Sequence, residues 1–142
     1  EDIYEPISEL DFTRYLKGFI DLVIKTPDDK YHIIDWKSCS WGWDMKRKSD
    51  SMTTYQLTLY KKFFCEKHGI DPKQVETHFG LLKRTAKSDN VEIFRVTSGP
   101  RKTVNATKVL TDACTSIHNG IKVKNRNSCS KCPFNNTEHC TR

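Results

Sequence analysis

The stretch YHIIDWKSCSWGW, residues 31–43, sets an aspartate and a lysine two positions apart in a run that otherwise reads as a β-strand. Side chains alternate between the two faces of a strand, so Asp35 and Lys37 share a face. Residues 14–26, RYLKGFIDLVIKT, read as a second strand rich in β-branched and aromatic residues. Between the two runs lies a turn built on Pro27, Asp28 and Asp29. A hairpin with that three-residue loop sets Thr26 opposite Lys30, Ile24 opposite His32 and Asp21 opposite Asp35. Facing Cβ atoms in such pairs lie about 4.5–5.5 Å apart, and like charges there destabilise the sheet. A positive charge between the two carboxylates relieves the repulsion. Lys37 is one candidate, and a divalent cation such as Mg²⁺, which takes one or two carboxylates plus waters and phosphate, is the other. A cation held by Asp21 and Asp35 would polarise a phosphate and lower the pKa of a bound water. Lys37 would orient or deprotonate that water, or neutralise charge developing on the phosphate. The plainer reading is a solvent-facing hairpin with an incidental Asp–Lys pair.

The elements around this hairpin follow from periodicity and punctuation. Residues 38–50 have no clean period and read as a loop. Asp50 or Ser51 caps a helix that runs through Lys67 and is ended by Gly69. Met52, Tyr55, Leu59 and Phe63 recur at spacings of three and four, which predicts its apolar face. Gln56 and Tyr60, four apart, share a helix face and carry groups able to reach phosphate or base. Residues 75–85 and 90–98 read as strands on either side of the polar turn AKSDN, and a helix covers about residues 102–118. Strands, a helix, strands and a helix predict an α/β (α+β) domain with a mixed sheet.

Three segments now stand in order: GFID at 18–21, IIDWKS at 33–38 and YQLTLY at 55–60. Together they resemble motifs of the PD-(D/E)XK nuclease superfamily, most closely its RecB-like exonuclease branch, which includes the CRISPR adaptation nucleases and many phage proteins. The resemblance implies a restriction-endonuclease-like mixed central sheet flanked by helices. It also implies Mg²⁺- or Mn²⁺-dependent hydrolysis of DNA, from an end. In the site it makes Asp21 and Asp35 the metal ligands and Lys37 the catalytic lysine, while Gln56 and Tyr60 contact DNA or steady the site. That branch usually carries an upstream helix with a His or Glu, and no helical His precedes Asp21 here.

Of six cysteines, Cys129, Cys132 and Cys140 crowd into CSKCPFNNTEHC. The two-residue spacing of the first pair lets two thiolates chelate one centre. Zinc would take a fourth ligand from His139 or His118, whereas an iron–sulfur cluster requires four thiolates. In the iron–sulfur members that the segment resembles, the fourth cysteine lies before the first motif. Both shortages point upstream, and the chain does not begin with Met. The expectation is therefore a nuclease core over residues 1–126 that lacks its N-terminal part. Residues 127–142 form a cysteine-rich metal-binding tail on the same domain, and an upstream helix bears a Cys and a His or Glu.

The formal net charge of +6 favours a polyanionic partner. Trp41, Trp43, Lys46, Arg47 and Lys48 follow the Asp–Lys strand and combine stacking faces with cations. That suits single-stranded DNA or DNA ends, where stacking is worth about 1–3 kcal/mol per base. The tryptophans serve equally as core or loop anchors. A helicase or recombination protein is a candidate partner. No apolar run approaches the roughly 18–20 residues of a membrane span, and clustered rather than scattered cysteines suit a reducing, cytoplasmic setting. Two other readings remain at this stage: a catalytically inactive nucleic-acid-binding module of the same fold, and a small zinc-binding interaction domain.

Overall fold

The predicted hairpin is present. In the computed structural model, which describes residues 1–122 and 126–140, it consists of β3 (Leu22–Lys25) and β4 (Tyr31–Cys39). Leu22 pairs with Ile34 and Ile24 with His32. The turn closes through the Thr26 N–H, which donates to the Lys30 carbonyl at 2.9 Å. Asp29 takes the left-handed conformation, φ 57°, that a short polar side chain tolerates. The paired register ends at Leu22, so Asp21 lies one residue beyond the last pair, where its side chain rather than its backbone meets β4.

The run 14–26 is not one strand, however. It divides into β2 (Tyr15–Phe19) and β3, because β2 pairs with β1 (Asp2–Pro6) in a separate two-stranded sheet. The chain changes sheets at Ile20 and Asp21. There the Ile20 N–H donates to the Glu1 carbonyl at 2.8 Å while the Ile20 side chain enters the core.

The central sheet has the order β3-β4-β5-β6, with β5 at Val75–Lys83 and β6 at Val91–Val96. β4 and β5 are parallel and the other pairs antiparallel, so the sheet is mixed, as predicted. A parallel pair needs a long crossover. Here it carries α1 (Met45–Ser49), inside the stretch expected to be a loop, and α2 (Ser51–His68). Asp44 caps α1 by accepting from the Arg47 N–H at 2.7 Å. Asp50 caps α2 through the Thr53 N–H at 2.7 Å, and Gly69, at φ 64°, closes it in the left-handed conformation that glycine adopts without strain. After β6 comes α3 (Pro100–His118), with proline in its first turn, where a missing N–H costs nothing. Among the described residues no helix is long and apolar enough to cross a membrane.

The buried face of α2 keeps Phe63 from the predicted one, with Leu59 packed at its edge, and otherwise shifts. Met52 is exposed, and the helix buries Thr54, Leu57, Thr58, Phe63, Phe64 and Cys65. Two threonines lie inward because their hydroxyls are satisfied by the helix itself: Thr54 Oγ1 donates to the Asp50 carbonyl at 3.0 Å and Thr58 Oγ1 to the Thr54 carbonyl at 3.2 Å. Leu57, Phe63 and Phe64 of the helix share one core cluster with Ile33, Phe79 and Leu81 of the sheet. Each fully buried side chain of that size contributes about 1.5–3 kcal/mol. Asp35 and Lys37 follow the core residue Ile33 along this helix-covered face. The opposite face carries His32 and Trp36 of β4 with Glu76, His78 and Gly80 of β5, by register.

Candidate active site

Asp35 is 2 % exposed, a carboxylate inside the core. Its two oxygens are used differently. Oδ1 accepts from Gln56 Nε2 at 3.1 Å. Oδ2 lies 2.7 Å from Lys37 Nζ in an ion pair but takes no hydrogen bond of good geometry. Asp21, at the sheet change, is exposed, and its Oδ2 accepts from the Trp36 backbone N–H at 2.8 Å. The structure thus brings Asp21, Asp35, Lys37, Gln56 and Tyr60 together in one cluster. The imperfectly satisfied Oδ2 and the second carboxylate fit a hard divalent cation, which prefers oxygen ligands.

Burial holds the Asp35 carboxyl above the ordinary carboxylate range. Lys37 pulls it back, and the charge of Asp21 adds to the rise. A raised folded pKa means that the native state binds this proton more tightly than the unfolded chain does. Stability then falls as pH rises from the unfolded value, about 3.9, through the folded one. Asp35→Asn should therefore raise Tm at neutral pH in metal-free buffer, and the gain should vanish as pH falls below the unfolded value. Lys37, a third exposed, stays solvated in the variant. Millimolar Mg²⁺ should raise the Tm of the wild type and leave that of Asp35→Asn unchanged. Thermal unfolding across pH, with and without Mg²⁺, checks both statements.

Gln56 and Tyr60 form a prop beneath the carboxylate. The second N–H of the Gln56 amide donates to the Tyr60 hydroxyl at 3.1 Å, so one amide ties both groups. The Tyr60 ring in turn rests against Gly18 of β2, where a Cβ would stand 2.8 Å from its Cε1. The glycine of GFID thereby lets the small sheet close on the helix that positions Gln56.

The aromatic and basic residues divide. Trp41 is exposed, as are Lys46 and Arg47. Trp43, expected to stack on DNA, is instead core: its ring packs edge-on against Phe79 at 5.2 Å and Phe94 at 6.2 Å. The Arg47 guanidinium caps that ring at 4.4 Å. Lys48 is tied to Glu92 by an ion pair and covers the Phe94 ring, so it too anchors α1 rather than reaching outward.

Cys129 and Cys132 are exposed and Cys140 half-buried, and all six cysteines are free thiols. The Cys132 N–H donates to the Cys129 carbonyl at 3.1 Å, so the pair shares one turn. The three sulfur atoms are not gathered into a ligand set. Among the described residues, three donor atoms converge within 4.8 Å of one another only at His32, Glu76 and His78, a group the sequence reading did not single out.

A mixed sheet whose parallel strand pair carries a buried Asp joined to a half-buried Lys, with a neighbouring Asp and a Gln-x-x-x-Tyr helix, is a restriction-endonuclease-like arrangement. The family model of the PD-(D/E)XK nuclease superfamily matches residues 3–137, and the chain belongs to this superfamily of metal-dependent nucleases. Comparison with curated proteins and with solved structures gives no match.

Proposed function

We propose that the protein is a Mg²⁺- or Mn²⁺-dependent deoxyribonuclease of the RecB-like branch that hydrolyses phosphodiester bonds from DNA ends. The observation that supports this most is the Asp35 carboxylate, buried yet held between Gln56 and Lys37 and facing Asp21. Asp21 and Asp35 would hold the metal, which when bound supplies Lewis-acid activation of water and phosphate. The Lys37 ammonium neutralises charge on the phosphate as it develops, or, once neutral, takes a proton from the attacking water. Gln56 fixes the rotamer of Asp35, and Tyr60 fixes Gln56. Trp41, Lys46 and Arg47 offer a stacking face and cations to a single strand or a frayed end, in line with the net charge of +6.

Residues 1–126 serve in this reading as the nuclease core. Cys129, Cys132 and Cys140 serve as ligands for an iron–sulfur cluster or zinc in a reducing, cytoplasmic setting, once further ligands and a closer approach of the sulfurs complete the centre. A helicase or recombination protein would deliver the DNA end.

The test uses linear single-stranded and duplex DNA labelled at either end, beside covalently closed circles, with Mg²⁺, Mn²⁺ or EDTA. Loss of label from linear substrates with circles intact is the expected result. Nicked circles would indicate an endonuclease. Salt-sensitive binding without any cleavage would favour the non-catalytic module of the same fold.

A further inference from the structure

We infer that His32, Glu76 and His78 form a binding site for a zinc-class divalent transition metal on the sheet face opposite Asp35. His32 and Glu76 are register partners across the parallel β4–β5 pair, and His78 follows Glu76 by two residues, so all three side chains leave the same face. His32 Nδ1 and His78 Nε2 are 3.2 Å apart, and Glu76 Oε2 is 3.9 Å from each of them. A triangle with sides of 3.2, 3.9 and 3.9 Å has its circumcentre about 2.1 Å from every corner, which matches Zn–N and Zn–O bonds of about 2.0–2.2 Å.

A simple hydrogen bond between the two imidazoles accounts for the shortest side alone. It leaves Glu76 Oε2 equidistant from both nitrogens and beyond hydrogen-bond reach of either. A shared cation would give all three donor atoms one common partner. Two imidazoles and one carboxylate select zinc, cobalt or nickel over Mg²⁺, which wants oxygen throughout. The carboxylate is already oriented from behind: Arg95 Nη2 of β6 holds Glu76 Oε1 at 3.2 Å, leaving Oε2 for the metal. The three side chains are 16–27 % exposed, enough for an ion to enter and few enough degrees of freedom for strands to fix them. A metal here would staple β4 to β5 behind Asp35 and Lys37. The inference does not depend on the nuclease reading, because no residue is shared between the two sites.

The experiment is Zn²⁺ titration of the whole chain in metal-free reducing buffer, with bound metal counted by native mass spectrometry and Tm followed in parallel. His32→Gln and His78→Gln should each bind one equivalent fewer than the wild type, and Asp35→Asn should keep that equivalent. Arg95→Gln should weaken it by about 10–100-fold. Thiols at the C-terminal end are distinguished with Co²⁺: the difference spectrum between the wild type and His78→Gln should lack thiolate-to-cobalt charge transfer. If the histidine variants fail to fold, imidazole ¹⁵N resonances of the wild type serve instead. Those of His32 and His78 should move together with Zn²⁺ and not with Mg²⁺. Unchanged stoichiometry in both variants, or imidazole signals indifferent to Zn²⁺, would overturn the inference and leave a plain histidine–histidine hydrogen bond.

Discussion

Lys37→Ala should lose about 10²–10⁴-fold in metal-dependent DNA cleavage, the range associated with removing a positioned proton-transfer or charge-stabilising group. Asp35→Asn should lose at least as much, because it removes the carboxylate proposed to hold the metal and the partner of Lys37 together. The two variants also differ in their dependence on pH. Without the ammonium 2.7 Å from Oδ2, the Asp35 carboxyl loses the neighbour that pulls it down, while burial and Asp21 still push it up. Its folded pKa rises further, so the residual activity of Lys37→Ala, which needs an ionised Asp35, should appear only at higher pH than in the wild type. Stability should behave conversely and fall as pH climbs from the unfolded carboxylate value through the new folded one. Removing one partner of a buried pair often costs about 3–5 kcal/mol. Here Asp35 can take up a proton and keep its Gln56 bond, so the variant should stay folded at mildly acid pH. Lys37→Arg separates the two roles, since guanidinium keeps the charge but cannot act as a base. Initial rates from pH 5 to 9 with Mn²⁺, alongside thermal unfolding of the same samples, are the measurements. Wild-type rates in Lys37→Ala would remove the lysine from the chemistry.

What made this site legible was local. The Pro-Asp-Asp turn fixes the hairpin register, and a period of two then puts Asp35 and Lys37 on one face, with Asp21 one residue past the last pair. Asp50 and Gly69 mark the ends of α2 because capping chemistry acts within one turn. What was not legible was set by distant partners. Nothing within residues 14–26 announces that the first half pairs with Asp2–Pro6 and the second with β4. Thr54 and Thr58 read as polar, yet intrahelical bonds let them face the core, which turns the helix away from Met52. Trp43 lies in a stretch without period, and only the meeting of β5 and β6 gives it Phe79 and Phe94 to pack on. The His32–Glu76–His78 group needs the parallel register of β4 and β5, a pairing between strands 44 residues apart by their partner positions. The sequence offers no local signal for such a contact.

Gly80→Ala should destabilise the fold by about 1–3 kcal/mol, the cost of forcing an added methyl into a filled space. A Cβ at this position would stand 2.4 Å from both Cε3 and Cζ3 of Trp36 and 3.0 Å from Cδ2. These atoms belong to the fused part of the indole, so no flexible tip can move aside and the whole ring must turn. Trp36 is the residue between Asp35 and Lys37, directed to the other face of β4, and it faces Gly80 in the parallel register. Its backbone N–H also holds Asp21 Oδ2 at 2.8 Å. Displacing the ring therefore strains the stretch of backbone that aims all three charged groups. Cleavage by Gly80→Ala should fall along with stability, although the variant touches no catalytic side chain. The clash predicts a change of sign on a second background. With Trp36→Leu in place the methyl has room, and alanine is then favoured over glycine in a strand interior by about 0.5–1 kcal/mol through the smaller entropy lost on folding. Denaturant unfolding of the wild type, the two single variants and the double variant closes the cycle. A destabilising Gly80→Ala that becomes neutral or stabilising beside Trp36→Leu is the expected outcome. Equal costs on the two backgrounds would mean that the indole does not rest on residue 80, and that Asp35 and Lys37 are aimed by something other than the tryptophan between them.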